Sequence, residues 1–231
     1  MKTYFIATKS NLDVGLIVKK APKGKIYGLV TTAQHIHALP EIQKRLDKSV
    51  IGGQLLGCNA SMAVAIQNKV DAFLFIGTGD FHPIEVALET GKDVYMADPM
   101  TNDVKLLPKK EVEKRQKRIK GAYLKYLNSN FIGIVVSKKP GQNLLKESKR
   151  LKEYFEKKDK KCFIFLCDTF DFNNLNDFTE IDCWVNTACS RIAIEDYEKL
   201  YKPMINIFDL KRLEKLETTK DRGIKPAFYH Y

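Results

Sequence analysis

Two cysteines stand in settings suited to chemistry: Cys58 in Leu55-Leu56-Gly57-Cys58-Asn59-Ala60-Ser61, and Cys189 in Asn186-Thr187-Ala188-Cys189-Ser190-Arg191. In the first stretch an apolar pair runs into Gly57, and Asn59 or Ser61 follows as a candidate helix N-cap. A thiol in a turn just before a helix is biased toward the thiolate, the form that binds metal or attacks an electrophile. Taken alone, Cys58 also reads as a small cysteine packed under a loop. A second cysteine in a similar setting moves the reading toward chemistry. Cys162, Cys167 and Cys183 lie in apolar stretches, where free cysteine is ordinarily buried. Five is an odd number and no CxxC occurs, so a disulfide framework, a zinc ribbon and a thioredoxin motif are not expected. The histidines are His35, His37, His82 and His230, too few for a His-rich metal site.

These cysteines need elements to position them. Strands are expected at Lys25–Thr32, Asp71–Gly77, Asp93–Ala97, Asn130–Ser137, Lys161–Asp168 and Asp182–Thr187, with a last one at Met204–Ile207. Tyr4–Ala7 is a further candidate strand; Asp13–Val18 stays open. An amphipathic helix follows the first strong strand, with Ile36, Leu39, Ile42 and Leu46 on one face. Other helices are expected at about 59–68, 83–90 (closed by Gly91), 109–127 and 143–157. Pro226 and the closing aromatics read as a C-terminal strap. Alternation of this kind predicts an α/β fold with mainly parallel sheets. Ligands in such folds gather at the carboxyl ends of strands, where both cysteine loops and the Gly77–His82 loop fall.

The two halves of the chain also resemble each other. Tyr27-Gly28-Leu29-Val30 matches Ile132-Gly133-Ile134-Val135, and Val70-Asp71-Ala72-Phe73 matches Ile181-Asp182-Cys183-Trp184. Gly57-Cys58-Asn59 lies against Leu166-Cys167-Asp168 in this alignment, and Cys189 falls near Thr78. Two similar α/β domains follow, 1–127 carrying Cys58 and 128–231 carrying Cys189.

The chain has 231 residues, 44% hydrophobic and 29% charged, which is globular composition. No apolar run is long enough for a membrane span, and the start lacks the apolar core of a secretory signal, so a cytoplasmic protein without membrane association is expected. The formal charge of +11 favours acidic partners, nucleic acid included. The densest basic run, Lys109 to Lys125, reads as a solvated helix face, and no RNA-recognition stretch accompanies it. A basic RNA-binding protein is thus a secondary alternative.

Several stretches, in order, resemble the diphthamide synthesis family. They are Val30-Thr31-Thr32-Ala33-Gln34-His35, Gly53-Gln54-Leu55-Leu56-Gly57-Cys58, Phe75-Ile76-Gly77-Thr78-Gly79-Asp80-Phe81-His82-Pro83, Ala97-Asp98-Pro99, and Ala188-Cys189-Ser190-Arg191-Ile192-Ala193-Ile194-Glu195-Asp196-Tyr197. The resemblance implies three similar α/β domains, each giving one cysteine to a 4Fe-4S cluster, of which this chain matches the second and third. It implies that the cluster cleaves S-adenosyl-L-methionine to a 3-amino-3-carboxypropyl radical, and that the group is added to a histidine of translation elongation factor 2. Three thiolates leave one iron open for S-adenosylmethionine. Cys58 and Cys189 match the family's metal ligands. The resemblance further implies Arg191 as a bidentate contact for the substrate carboxylate, and Gln54, Gly77, Gly79 and His82 as cofactor-pocket residues. His82, before a proline at a helix start, reads equally as a capping or packing residue. No acid–base catalytic residue is assigned.

The family's first domain and its cysteine are missing from the match. The expected partners are therefore a separate polypeptide supplying that domain, or a homo- or heterodimer partner, together with a reductant protein. Cys167 is the rival third ligand in cis, through a strand edge shared with the Cys189 strand. A non-catalytic scaffold or electron-relay partner of an active subunit is the main alternative to an enzyme.

Overall fold

A computed structural model describes Tyr4 and residues 8–14, 17–46, 48–57 and 59–214. The chain divides into two compact units, Met1–Gln116 and Lys117–Tyr231. The division falls inside a long helix whose C-terminal end, Leu127, is the boundary drawn from the sequence.

The first unit holds strands β1 (Tyr27–Thr31), β2 (Ser49–Gln54), β3 (Ala72–Ile76), β4 (Val94–Asp98) and β5 (Asp103–Leu106). Its helices are α1 (Leu39–Arg45), α2 (Ser61–Ile66) and α3 (Phe81–Thr90). The sheet order is β2-β1-β3-β4-β5, parallel throughout except for the antiparallel edge pair β4–β5. Every residue of β1 and β3 is buried, as expected of central parallel strands covered on both faces.

The long helix α4 (Lys109–Leu127) leads into the second unit, which contains β6 (Phe131–Ser137), α5 (Leu145–Glu156), β7 (Lys161–Cys167) and α6 (Phe172–Asn176). It continues with β8 (Cys183–Asn186), α7 (Ser190–Glu195), β9 (Met204–Asn206) and α8 (Ile207–Glu214). The order β7-β6-β8-β9 is wholly parallel. It repeats the order of the first four strands of the other sheet.

The repeat extends to side chains. Gly28 lies opposite Phe73, and a Cβ there would meet the Phe73 ring at 2.6 Å. Gly133 lies opposite Trp184, and a Cβ there would meet that ring at 2.3 Å. Each unit therefore seats one large aromatic across a glycine of its central strand. Asp71 Oδ2 accepts from the Ile26 N–H, and Asp182 Oδ2 accepts from the Phe131 N–H, so the same aspartate pins the start of the central strand in both units.

Four expectations change. Ile36 does not share the buried face with Leu39 and Ile42. Residues Ala33–Ala38 form a 3-10 helix ahead of Pro40, and its tighter winding buries His35 and exposes Ile36 instead. Strand β2 begins well before the apolar pair at Leu55. Its Gly52-Gly53 hides the strand pattern because the register shifts there in a bulge: Leu29 pairs with Ile51 and Val30 with Gly53. A Cβ at Gly52 would press on Val30 at 2.9 Å, and Gly53 has φ 110°. Following register rather than alignment, Cys167 is the mate of Leu55, not Cys58: Thr31 pairs with Gln54 where Val136 pairs with Leu166. Finally, β7 and β8 do not share an edge, because β6 runs between them. The candidate strand Tyr4–Ala7 and the strap at Pro226 lie largely or wholly outside the described residues. No helix among the described residues is long and apolar enough to cross a membrane.

Candidate functional site

In the first unit the carboxyl ends of β2 and β3 carry most of the expected pocket residues. Gln54 is the last residue of β2, half-buried, just past the glycine bulge. The chain then turns: Leu55 N–H donates to the Thr31 carbonyl at 2.7 Å and Asn59 N–H to the Leu56 carbonyl at 2.8 Å, with Gly57 at φ 53°. Asn59 Oδ1 accepts from the Ser61 N–H at 2.9 Å, a side-chain turn just ahead of α2, whose N-cap is Ala60. Cys58 itself lies outside the described residues.

At the end of β3, Gly77 donates its N–H to the Ala97 carbonyl, and a Cβ there would press on the Phe75 ring at 2.8 Å. Gly79, at φ 77°, has open space where a side chain would be. Both glycines are thus required by the backbone, one for close approach and one for its left-handed turn. His82 is the second residue of α3. Its ring stacks on Phe75, centroids 5.7 Å apart, and meets Phe81 edge-on at 5.5 Å. Gly77 and His82 are therefore brought together on Phe75, with Gly79 in the loop between them, while Gln54 sits across β1 from them.

In the second unit, Cys189 is half-buried between β8 and α7. Three polar residues that the sequence reading passed over hold its loop. Asn186, the last residue of β8, donates Nδ2 to the Cys189 carbonyl at 2.8 Å and accepts from the Ala188 N–H at 3.0 Å. The same Nδ2 donates to Asn206 Oδ1 at 2.8 Å, and Asn206 donates to the Ser190 carbonyl at 3.2 Å. Thr187 donates its N–H and its hydroxyl to the Val135 carbonyl, at 3.0 and 2.8 Å. The available signal was two strands, apolar up to an asparagine at the carboxyl end of each.

Arg191 is exposed, and its guanidinium pairs with Glu195 one helical turn on, Nε–Oε1 2.8 Å and Nη2–Oε1 2.7 Å. A substrate carboxylate would have to displace or share that partner. The i, i+4 spacing made Glu195 legible as the neighbour.

The other described cysteines differ from Cys189. Cys162 and Cys183 are buried, and burial pushes both thiols up to about 12, which disfavours the thiolate a metal needs. Cys167 closes the edge strand β7 half-buried, its thiol raised by burial and by the adjacent Asp168. With β6 between the strands, β7 and β8 are roughly 9–10 Å apart, twice the ordinary spacing. The shared edge that would have made Cys167 a neighbour of Cys189 is absent. No group of three or more His, Cys, Asp or Glu side chains arranged for a metal occurs among the described residues.

The basic helix α4 exposes Lys109, Lys110, Lys114, Lys117, Lys120 and Lys125 as a solvated face. Arg118 is different: its guanidinium donates to the Ala193 and Ile194 carbonyls at the end of α7 and lies 3.4 Å from the centroid of the Tyr197 ring. It secures the helix that follows Cys189.

Comparison with known proteins agrees with this arrangement. The diphthamide synthesis protein family model matches residues 1–222. A 2-(3-amino-3-carboxypropyl)histidine synthase from Pyrococcus horikoshii is 32% identical over 191 residues, covering 77% of this chain and 54% of the relative. A 2-(3-amino-3-carboxypropyl)histidine synthase subunit 1 from Caenorhabditis elegans is 27% identical over 207 residues, covering 84% and 52%. The crystal structure of Dph2 from Pyrococcus horikoshii with a 4Fe-4S cluster superposes with a TM-score of 0.76 at 26% identity, covering 90% of this chain and 64% of that one. The chain spans about half the length of the curated relatives it matches. With a family match over nearly its whole length and the same α/β fold, the chain belongs to the diphthamide synthesis protein family.

Proposed function

We propose that this chain takes part in the first step of diphthamide formation, transfer of the 3-amino-3-carboxypropyl group from S-adenosylmethionine to a histidine of elongation factor 2, with Cys58 and Cys189 as thiolate ligands of a 4Fe-4S cluster. The observation that carries the reading is the placement of Cys189. It is a half-buried thiol at the carboxyl end of a parallel strand, in a loop anchored by buried side chains, in a chain whose solved relative holds such a cluster. The donor chemistry fits: Cys162 and Cys183 are excluded by burial, whereas Cys189 is open to a ligand.

When held, the cluster supplies one-electron chemistry and an open iron for the sulfonium substrate. The chain's own residues do the rest. The Asn186 and Thr187 contacts fix the backbone that leads to Cys189, so little loop freedom is lost when the thiol is engaged. Arg191, oriented by Glu195, offers a planar donor pair to the amino acid carboxylate, a contact that a lysine would reproduce poorly. Gly77 is buried against the Phe75 ring and lets the strand end tightly, whereas Gly79 leaves its backbone uncovered in the loop before α3; with the His82 ring stacked on Phe75, this end offers a surface suited to a flat or apolar part of the substrate. The protein acts in the cytoplasm, reduced by a separate electron donor.

The name subunit 1 of the nematode relative supports a second reading, in which the chain works only beside a partner that completes the ligand set or does the chemistry. One experiment separates the two. The anaerobically reconstituted, reduced chain is given S-adenosylmethionine and elongation factor 2, alone and then with a candidate partner polypeptide. Cleavage products and labelled elongation factor 2 from the chain alone support the catalytic reading; products only with the partner support the subunit reading. Absence of products under both conditions, with cluster bound, contradicts both. The RNA-binding alternative predicts steeply salt-dependent RNA affinity, and its absence near physiological ionic strength removes it.

A further inference from the structure

The asparagines under the Cys189 loop have a control inside the same molecule. Asn186 and Asn206 are paired in register on adjacent parallel strands, 1% and 4% exposed. Trp184 and Met204, two residues earlier, correspond to Phe73 and Val94 of the first unit. The matching pair there is Phe75 and Met96, also in register and apolar. One fold position thus carries two buried amides in one unit and an aromatic and a thioether in the other. What lies above the position differs in the same way. Past Phe75 the chain runs through Gly77, Thr78 and Gly79, and α3 begins at Phe81. Past Asn186 it reaches Cys189, the mate of Thr78, and α7 begins at the next residue.

A buried amide pair is a poor way to fill a core. Each group left without a partner in the core is costly. Here the satisfaction is specific. Of the partners given by the geometry, one bond joins the asparagines to each other. Three others go to the backbone of the cysteine loop, at Ala188 N–H, the Cys189 carbonyl and the Ser190 carbonyl. Asn206 makes a further, longer contact with Asp209 at 3.4 Å, and Asp209 pairs with Arg212. The apolar alternative in the first unit shows that the fold does not need amides here. Their bonds converge on one residue and its two neighbours.

We propose that Asn186 and Asn206 are positioning residues for Cys189: they fix the backbone on both sides of the thiol so that it is presented, preorganised, to the iron–sulfur cluster. This rests on the reading of Cys189 as a cluster ligand. Groups that orient metal ligands act through the ligand's geometry, and their loss weakens metal binding by about 10- to 100-fold while leaving the ligand atom in place.

The test uses the full chain, with Asn186→Ala, Asn206→Ala and the apolar double variant Asn186→Leu/Asn206→Met, which imitates the character of the first unit's pair and guards against a cavity that merely unfolds the protein. Circular dichroism and the fluorescence of Trp184 select the variants that remain folded. Two measurements follow on those. The first is the alkylation rate of Cys189 in the cluster-free chain by iodoacetamide, resolved from the other cysteines by peptide mass spectrometry. The second is the rate at which a ferrous chelator removes the Cys189-dependent iron after anaerobic reconstitution, with Cys189→Ala as reference. The inference expects alkylation faster by about threefold or more, because the released loop exposes the thiol, together with iron loss faster by about tenfold or more, in the double variant as in the single ones. Folded variants that match the parent in either rate overturn it: the pair would then be core filling. A Cys189→Ala chain that holds as much iron as the parent refutes the ligand reading instead, a result separate from the asparagine variants.

Discussion

The two units place the same four parallel strands in the same order and seat the same glycine–aromatic pair, yet they differ where function is expected. Under the Gly77–His82 loop the register position is Phe75 beside Met96, and His82 rests on the Phe75 ring. Under the Cys189 loop it is Asn186 beside Asn206, and the loop backbone rests on their amides. The difference teaches that the repeated core specifies the fold, while one register position toward the carboxyl ends of the strands specifies what the loop can do. An apolar end supports a surface against which a ring or a substrate packs. An amide end fixes a backbone, and through it a reactive side chain.

The shared core is the first part of this comparison to attack. Gly133→Ala drives a methyl into Trp184 and should destabilise the second unit by about 3 kcal/mol, near the upper end of ordinary overpacking. Gly28→Ala, against the smaller Phe73 ring, should cost the first unit about 2 kcal/mol. Trp184 is the single tryptophan, so its fluorescence in a denaturant titration reads the second unit, and hydrogen exchange reads the first. Two neutral substitutions would show that the glycines are not the common device. Gly133→Ala combined with Trp184→Leu should recover part of the loss, since the paired change restores room.

Glu214 sharpens the comparison on the second unit's side. It accepts hydrogen bonds from Tyr123 at 3.0 Å, Tyr154 at 2.5 Å and Lys158 at 2.5 Å. Burial alone would raise its carboxyl, but the bonds from Lys158, Tyr154 and Tyr123 outweigh it and hold the group below the ordinary glutamate value of 4.5. Glu214→Gln should cost about 1.5–2 kcal/mol at neutral pH, toward the low end of the range for a bond to a charged group. A depressed carboxyl contributes stability above its unfolded value and loses it as pH falls through the folded one. Parent and variant unfolding midpoints should therefore converge as pH drops below about 4.5. A constant gap across that window would contradict the assignment.

Both units also tie the carboxyl ends of their central strand pair with a threonine, in opposite directions. Thr31 of β1 donates to the Ile76 carbonyl of β3 at 2.6 Å. Thr187, just past β8, donates to the Val135 carbonyl of β6 at 2.8 Å and shares a 3.1 Å contact with Ser148. Thr31→Val and Thr187→Val should each cost about 1 kcal/mol, read as shifts in denaturation midpoint. Only Thr187→Val should also loosen the cysteine loop, seen as faster exchange of the Ala188 amide. Smallest of all should be the structural effect of Arg191→Gln. Its pairing with Glu195 is an exposed helix contact, and stability should move by no more than about 0.5 kcal/mol while the apparent affinity for S-adenosylmethionine falls. A large loss of stability would make Arg191 a scaffold residue rather than a substrate contact.

The fold was legible where one physical signal dominates. Lys25–Thr32 and Asp71–Gly77 are apolar, β-branched and aromatic runs, and they became β1 and β3. The repeat was legible because the glycine–aromatic and aspartate–backbone contacts require fixed residue types. Strand β2 was hidden by the Gly52-Gly53 bulge, which breaks alternation at the edge. The 3-10 winding before Pro40 changed the period, and so Ile36 was placed on the wrong face. The support under the Cys189 loop was not legible. Asn186 and Asn206 are 20 residues apart and acquire meaning only when β8 and β9 lie side by side in register. The shared edge expected between the Cys167 and Cys189 strands failed on strand order, which spacing along the chain does not encode.

The central proposal is that Cys58 and Cys189, and not the cysteines inside the strands, hold the iron. The direct measurement is bound iron and sulfide after anaerobic reconstitution of the full chain and of Cys58→Ala, Cys189→Ala and Cys167→Ser, with visible absorption recorded on each. The account predicts that Cys58→Ala and Cys189→Ala each lower the iron and bleach the broad iron–sulfur absorption. It predicts that Cys167→Ser matches the parent, and that the parent alone holds less than the four irons of a complete cluster. Iron retained at the parent level in both alanine variants, or a full cluster that disappears with Cys167→Ser, would contradict it.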